Sequence, residues 1–244
     1  MDYRGARPSI LHRFRPQIDV LMVVAVLVAT NLVAHFTTPW ADIAAVPFAA
    51  LCLVGLIRWR GLGWADLGLA RAHWRSGLGY ALAAVAVVVS VIAIGVALPM
   101  TRPMFLNNHY ASVSGALVAA IVVIPLHTVI PEELAFRGVL HGTLDRAWGF
   151  RGVTVAGSLL FGLWHVASSL GLTRGNMGFT KVLGGGVFGM VVGVAMAVVA
   201  TGAAGFVFSW LRQRSRSLIA PIALHWSLNG VGALAAALVW HLSA

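Results

Sequence analysis

Long apolar runs, separated by short polar or basic stretches, divide the chain into Val20 to about Phe36, Ala41 to Ile57, Ser76 to Leu98, Val113 to about Trp148, Gly152 to Leu170, Leu183 to Leu211 and Ser217 to Leu242. Each approaches or exceeds a bilayer crossing of about 17 to 25 residues. The pattern predicts an all-α, polytopic transmembrane bundle of about seven spans. Pro125 and Pro131 interrupt the fourth run, and the sixth is glycine-rich, so these two are expected to be broken or tilted. The first run follows Arg4, Arg7, Arg13 and Arg15, as in a secretory leader. Its near-full apolar length and the lack of a small-x-small cleavage site predict instead a retained first helix behind a basic tail, residues 1–18.

The stretch from Gly61 to Arg75 is too short and too charged to span, and its Trp and Leu residues among Asp66 and arginines predict an interfacial helix or loop. Gly184, Gly185, Gly186, Gly189 and Gly193 recur at spacings that suit close helix approach, and no strand precedes them to make a phosphate cradle. No internal repeat or linker is visible, so residues 1–244 read as one domain.

Composition narrows the class. The chain is 59% hydrophobic and only 10% charged, outside the soluble range. A net charge of +10 raises the question of nucleic acid, but the basic residues fall in short clusters between apolar runs without aromatic interleaving. Lipid headgroups are the expected partners and nucleic acid is not. With seven spans, fourteen arginines fall on one side and Arg102, Arg174 and Lys181 on the other. The rule that cytoplasmic loops are basic then places the N-terminus in the cytoplasm and the C-terminus outside, and an eighth span would spoil the split. Cys52 stands alone in an apolar run, which offers neither a disulfide framework nor a cysteine metal site and suits a small packing residue.

Candidate chemistry begins with Glu132 and Glu133, the only glutamates in the chain, side by side after the uncharged stretch from Leu117 to Ile130. Carboxylates at such depth are costly unless paired or wet. Glu133 precedes Arg137 by four residues, the favourable order for a helical ion pair. His165 in the fifth run, and His225 with Asn229 four residues on in the seventh, are the other notable polar groups within spans. Counted from the basic ends at 1.5 Å per residue, all of them fall roughly 12 to 24 Å deep. A shared polar cavity, facing the cytoplasm, is therefore expected, since each group alone would meet lipid unsatisfied.

Such a cavity holds the parts for hydrolysis: a carboxylate to take a proton from water, an imidazole to hold or relay it, and a His/Asn pair to donate to an oxyanion. Ser158, Ser168 and Ser169 lie near His165 but lack a nucleophile-elbow context. Zinc is a stronger competitor, with Glu132, His165 and His225 as a His2Glu ligand set, although His-Glu-x-x-His is missing. His127 reads as a core or lining histidine. Trp164 and Trp226 each neighbour a motif histidine and read as groove lining or as simple packing.

Glu132-Glu133-Leu134-Ala135-Phe136-Arg137, Phe161-Gly162-Leu163-Trp164-His165 and His225-Trp226-Ser227-Leu228-Asn229 resemble, in order and separation, the Glu-Glu-x-x-x-Arg, Phe-x-x-x-His and His-x-x-x-Asn motifs of the type II CAAX prenyl endopeptidases, also called the CPBP or abortive-infection-like family. The resemblance covers about Val113 to Gly230, the motif core, and reaches the first three helices only through hydropathy. It implies an intramembrane endopeptidase in which Glu132 and His165 activate water, His225 and Asn229 stabilise the tetrahedral intermediate, and Glu133 and Arg137 shape the site. The expected substrate is a membrane-associated or prenylated protein or peptide, and the expected location a prokaryotic plasma membrane. A glutamate mechanism without cofactor is favoured over the zinc form.

Two other classes compete with the enzyme. A transporter also carries ionisable residues at mid-depth, but it should show broken helices in two related halves, and none are visible. A non-catalytic scaffold or immunity protein of the same fold would keep the bundle to bind a partner, and the intact Glu132, His165, His225 and Asn229 set argues against it.

Overall fold

The computed structural model describes residues 15–170, 184 and 186–243. The basic tail up to Arg13, the loop residues Arg174 and Lys181, Gly185, and the start of the sixth run at Leu183 lie outside the described residues.

Among the described residues, six helices are long and apolar enough to cross a membrane: α1 (Arg15–Phe36), α2 (Pro39–Trp59), α3 (Arg71–Ala97), α4 (Val113–Trp164), α5 (Val187–Ser215) and α6 (Ile219–Ser243). Their starts follow local rules. Thr38 accepts from the Ala41 N–H at 3.2 Å with Pro39 at the first helical position, and Ser112 accepts from the Gly115 N–H at 3.1 Å.

Six helices and the expected seven spans are reconciled within α4. Its 52 residues would extend about 78 Å if straight, against a hydrocarbon core of about 30 Å. The helix is broken at Gly149, whose φ of 65° and ψ of −171° leave helical space at a positive φ that glycine tolerates without a Cβ penalty. Beyond it the chain returns along itself. Phe136 meets Phe161 and Trp164 edge to face at centroid separations of 5.1 and 5.3 Å, and Gly157 faces Leu144. The arms 113–148 and 150–164 are thus the fourth and fifth crossings, folded as a hairpin.

The basic clusters gather at one end of the bundle. Arg15 donates to the Arg60 carbonyl, Arg60 pairs with buried Asp19, and Arg146 donates to the Gly61 carbonyl. Arg212 donates to the Ala65 and Asp66 carbonyls at 3.1 and 2.8 Å, while the Leu218 N–H reaches Gly68 O at 3.0 Å. The segment 61–70 is a loop rather than a helix. It tucks Leu62 and Leu67 into the core, and α3 then opens with the short helical turn Arg71–His73. At the other end lie the α1–α2 turn and the segment before α4, where the Trp240 indole donates to Asn107 O.

One core cluster joins α1, α2, both arms of α4 and Phe208 of α5, and a smaller one sets Ile124 and Val129 against Ala233. Outward faces carry exposed apolar side chains, among them Leu21, Val28 and Leu32 on α1 and Leu78, Leu82 and Val89 on α3. A surface this apolar over so many helices is stable against lipid, so the chain is an integral membrane protein. The tightest helix approach is made by Gly162, Gly202 and Gly205 and not by the glycines at 184 and 186. A Cβ on Gly162 would stand 2.6 Å from the Val198 carbonyl oxygen, and one on Gly205 would touch Phe161. Gly189 and Gly193 are buried in α5. Cys52 is exposed on α2 and does not serve as core packing.

Candidate active site

The Glu pair sits where α4 is least regular. Residues Ala119–Val129 and Leu134–Leu140 are π-helical and flank the short α-helical stretch Ile130–Glu133. Pro125 and Pro131 lack backbone N–H groups, and the Ile130 N–H reaches past the normal partner to Pro125 O. π-turns re-aim the residues beside them and recur at functional sites.

Glu133 anchors one half of the site. Its Oε1 accepts from Arg137 at 3.1 Å and from His225 Nδ1 at 2.9 Å. All three are buried, with relative exposures of 0%, 1% and 4%, so each charge depends on its partners. The Arg137 guanidinium also sits over two aromatic rings, 3.8 Å from the Phe161 centroid and 4.7 Å from that of Phe208, and it donates to Gly205 O. Phe208 stacks on His225 at 5.1 Å, and Phe161 meets His165 edge-on at 4.7 Å. The Phe of Phe-x-x-x-His therefore touches the arginine and both motif histidines.

Glu132 forms the other half. Its Oε1 accepts from the Trp164 indole N–H at 3.1 Å, and its Oε2 is buried with no hydrogen-bond partner. His165 stands at a break in the second arm, with φ −87° and ψ 1° between Trp164 and the short helix Val166–Ser169. Its Nδ1 lies 2.8 Å from Phe161 O. A carbonyl only accepts, so Nδ1 carries the proton, and in the neutral ring Nε2 keeps its lone pair. Asn31 of α1 donates to Trp164 O at 3.0 Å, holding a carbonyl at this break.

Glu132, His165, His225 and Asn229 line one cavity of about 380 Å³, together with His127, Trp164 and Ser168. The shared depth expected from helix spacing thus places these four side chains around a common space, while Glu133 and Arg137 lie behind it in the packed wall. His127 is a lining residue, as expected. Ser168 donates to the His165 carbonyl and not to its ring. Trp226 donates to Ala120 O between helices and packs, whereas Trp164 combines lining with the bond to Glu132. Asn31 and the indole N–H of Trp164 were not read as site groups: the first is an isolated amide in an anchor-like helix, and the second gains meaning only when α4 doubles back.

The direction of the mouth differs from the expectation that the cavity faces the side of the basic loops. Its lining runs to His35 and Asp42 at the α1–α2 turn, the end away from those loops. Toward the basic end Arg137, Leu140, Leu144, Leu67 and Leu218 are all buried, and none of them lines the cavity. For the zinc alternative, no three His, Cys, Asp or Glu side chains gather as a metal-holding group among the described residues. Glu132 and His225 instead direct polar atoms to Trp164 and Glu133.

Fold and site define a helical membrane bundle with a cavity lined by Glu132, His165, His225 and Asn229. Residues 114–231 match the family model described as Type II CAAX prenyl endopeptidase Rce1-like, so the resemblance carried by the three motifs holds for this region, and the family is one of proteases. No curated protein and no solved structure gives a significant match.

Proposed function

We propose that the protein is an intramembrane endopeptidase that cleaves a peptide bond of a membrane-associated or prenylated protein or peptide, with water activated by Glu132 and His165. The observation that carries this reading is the placement of Glu132, whose Oε2 is buried without a hydrogen-bond partner, in the lining of the cavity that His165, His225 and Asn229 also line. Glu132 takes a proton from water, which His165 Nε2 orients. The hydroxide adds to the peptide carbonyl carbon, and the oxyanion receives hydrogen bonds from the Asn229 amide and from His225 Nε2, a role that requires the doubly protonated ring. Collapse breaks the C–N bond as Glu132 returns the proton to the leaving amine. Glu133 and Arg137 shape the site by fixing His225.

No cofactor is needed for these steps. Zinc held by Glu132, His165 and His225 is the competing form, and metal content distinguishes them: active protein with less than stoichiometric zinc, still active after chelation, supports the glutamate form. The location we propose is a prokaryotic plasma membrane, with basic loops and N-terminus cytoplasmic and C-terminus external. The mouth near His35 and Asp42 then faces the opposite side.

The test is cleavage of a reporter peptide in proteoliposomes. Glu132→Ala and His165→Ala are each expected to lower turnover by about 10² to 10⁴ while insertion and thermal unfolding stay unchanged. Cleavage that survives both substitutions overturns the mechanism. A wild-type protein without cleavage products in membrane terminal proteomics favours the scaffold reading.

A further inference from the structure

A second cavity, of about 510 Å³, lies at the basic end and shares no residue with the site above. Its lining brings together Arg146 from the first arm of α4, Arg212 and Gln213 from α5, Arg216 from the α5–α6 turn, His141 and His73. Two of these are almost wholly buried, Arg212 at 5% and His141 at 3% exposure. Arg212 is braced by the Ala65 and Asp66 carbonyls, and its Nε, packed on Gly68, has no hydrogen-bond partner. His141 faces Gln213 Oε1 through Nε2 at 3.3 Å, while its Nδ1 is buried and unpartnered. Arg216 holds a left-handed conformation, φ 56°, and makes no hydrogen bond or ion pair among the described residues.

Two acids share the lining. Asp66 is occupied by the Gly63 N–H at 2.6 Å, and Asp145 makes no hydrogen bond among the described residues. Three guanidinium groups against two carboxylates leave the cavity cationic even with both histidines neutral. A buried, braced arginine with two further arginines at the rim suits a tetrahedral oxyanion, which accepts several charge-assisted hydrogen bonds at once. The exposed indoles of Trp59, Trp64, Trp74, Trp148 and Trp210 ring this same end, as at a membrane–water interface, where phosphate groups are concentrated.

We propose that this cavity binds a phosphate group, as an anionic phospholipid headgroup or as free phosphate, through Arg146, Arg212 and Arg216. The assignment is independent of the proteolytic reading, since none of these residues lines the Glu132 cavity.

Full-length protein in maltoside detergent is examined with two probes. Calorimetric titration of inorganic phosphate measures the free anion, and native mass spectrometry counts phosphatidylglycerol retained against added phosphate. Arg146→Gln/Arg216→Gly changes two exposed residues, and glycine suits the positive φ of position 216. Saturable binding of either probe, weakened about tenfold or more in the double variant, is the expected result. Displacement of lipid by phosphate assigns both sources to one site. Retained lipid with no phosphate titration assigns the headgroup alone, and phosphate titration without retained lipid assigns the free anion. Equal binding by wild type and double variant, or no saturable binding of either probe, overturns the proposal. Arg212→Lys, which keeps charge but loses the planar fork, tests the buried arginine, and unchanged thermal unfolding shows that it folds.

Discussion

His225 Nδ1 lies 2.9 Å from Glu133 Oε1, a bond between helices across 92 positions of the chain. The same oxygen receives Arg137, so one carboxylate fixes a histidine of the cavity wall and neutralises a guanidinium that makes no other ion pair among the described residues. Glu133→Ala would leave Arg137 buried without its ion-pair partner, and loss of about 3 to 5 kcal/mol of stability is expected. Thermal unfolding in detergent checks this. Glu133→Ala/Arg137→Met should recover much of the loss, because it removes both charges together. A double variant no more stable than the single one would contradict the pairing.

Trp164 holds Glu132 by a single indole N–H. Trp164→Phe keeps an aromatic ring against Phe136 but removes the donor, leaving both carboxylate oxygens without a protein hydrogen bond. Turnover should fall roughly tenfold to a hundredfold, in line with about 1 to 3 kcal/mol for a lost partner of a buried group. The reporter assay measures the rate, and KM should change little because the indole N–H meets the base rather than the substrate.

Asn31 positions His165 indirectly, through the carbonyl of its neighbour. Asn31→Ala should lower stability by about 1 to 2 kcal/mol and lower turnover without altering metal content. Asn31→Gln, whose amide can still reach toward the break, should recover part of the rate. A rate indifferent to both substitutions would remove Asn31 from the site.

Helix positions, the ion pair spaced four apart, and the four side chains that share the cavity were legible in the sequence because each rests on local periodicity and on the cost of polar groups in lipid. The hairpin explains what was not. Gly149 has no distinguishing context in Trp148-Gly149-Phe150, yet its backbone folds α4 so that Trp164 returns to Glu132. Asn31 and Phe208 act across helices, and no spacing within one run relates them to the motifs. The mouth escaped for a different reason. Loop charge speaks of orientation, whereas the opening depends on which end is filled, and Leu67 enters that packing from a loop that reads as interfacial.

Orientation and mouth direction can be tested together. Fourteen of the seventeen Lys and Arg residues fall on one side in the seven-span reading, and the described ones from the loops come together at the end away from His35 and Asp42. Positive charge is retained on the cytoplasmic side during insertion, so the cavity should open outward. In a Cys52→Ser background, Trp40→Cys reports the mouth end and Arg214→Cys the basic end, both at exposed positions. A membrane-impermeant maleimide applied to intact cells should label Trp40→Cys directly and Arg214→Cys only after permeabilisation. The reverse pattern would turn the cavity toward the cytoplasm, and substrates would then be soluble-side tails rather than segments reached from outside or from within the bilayer.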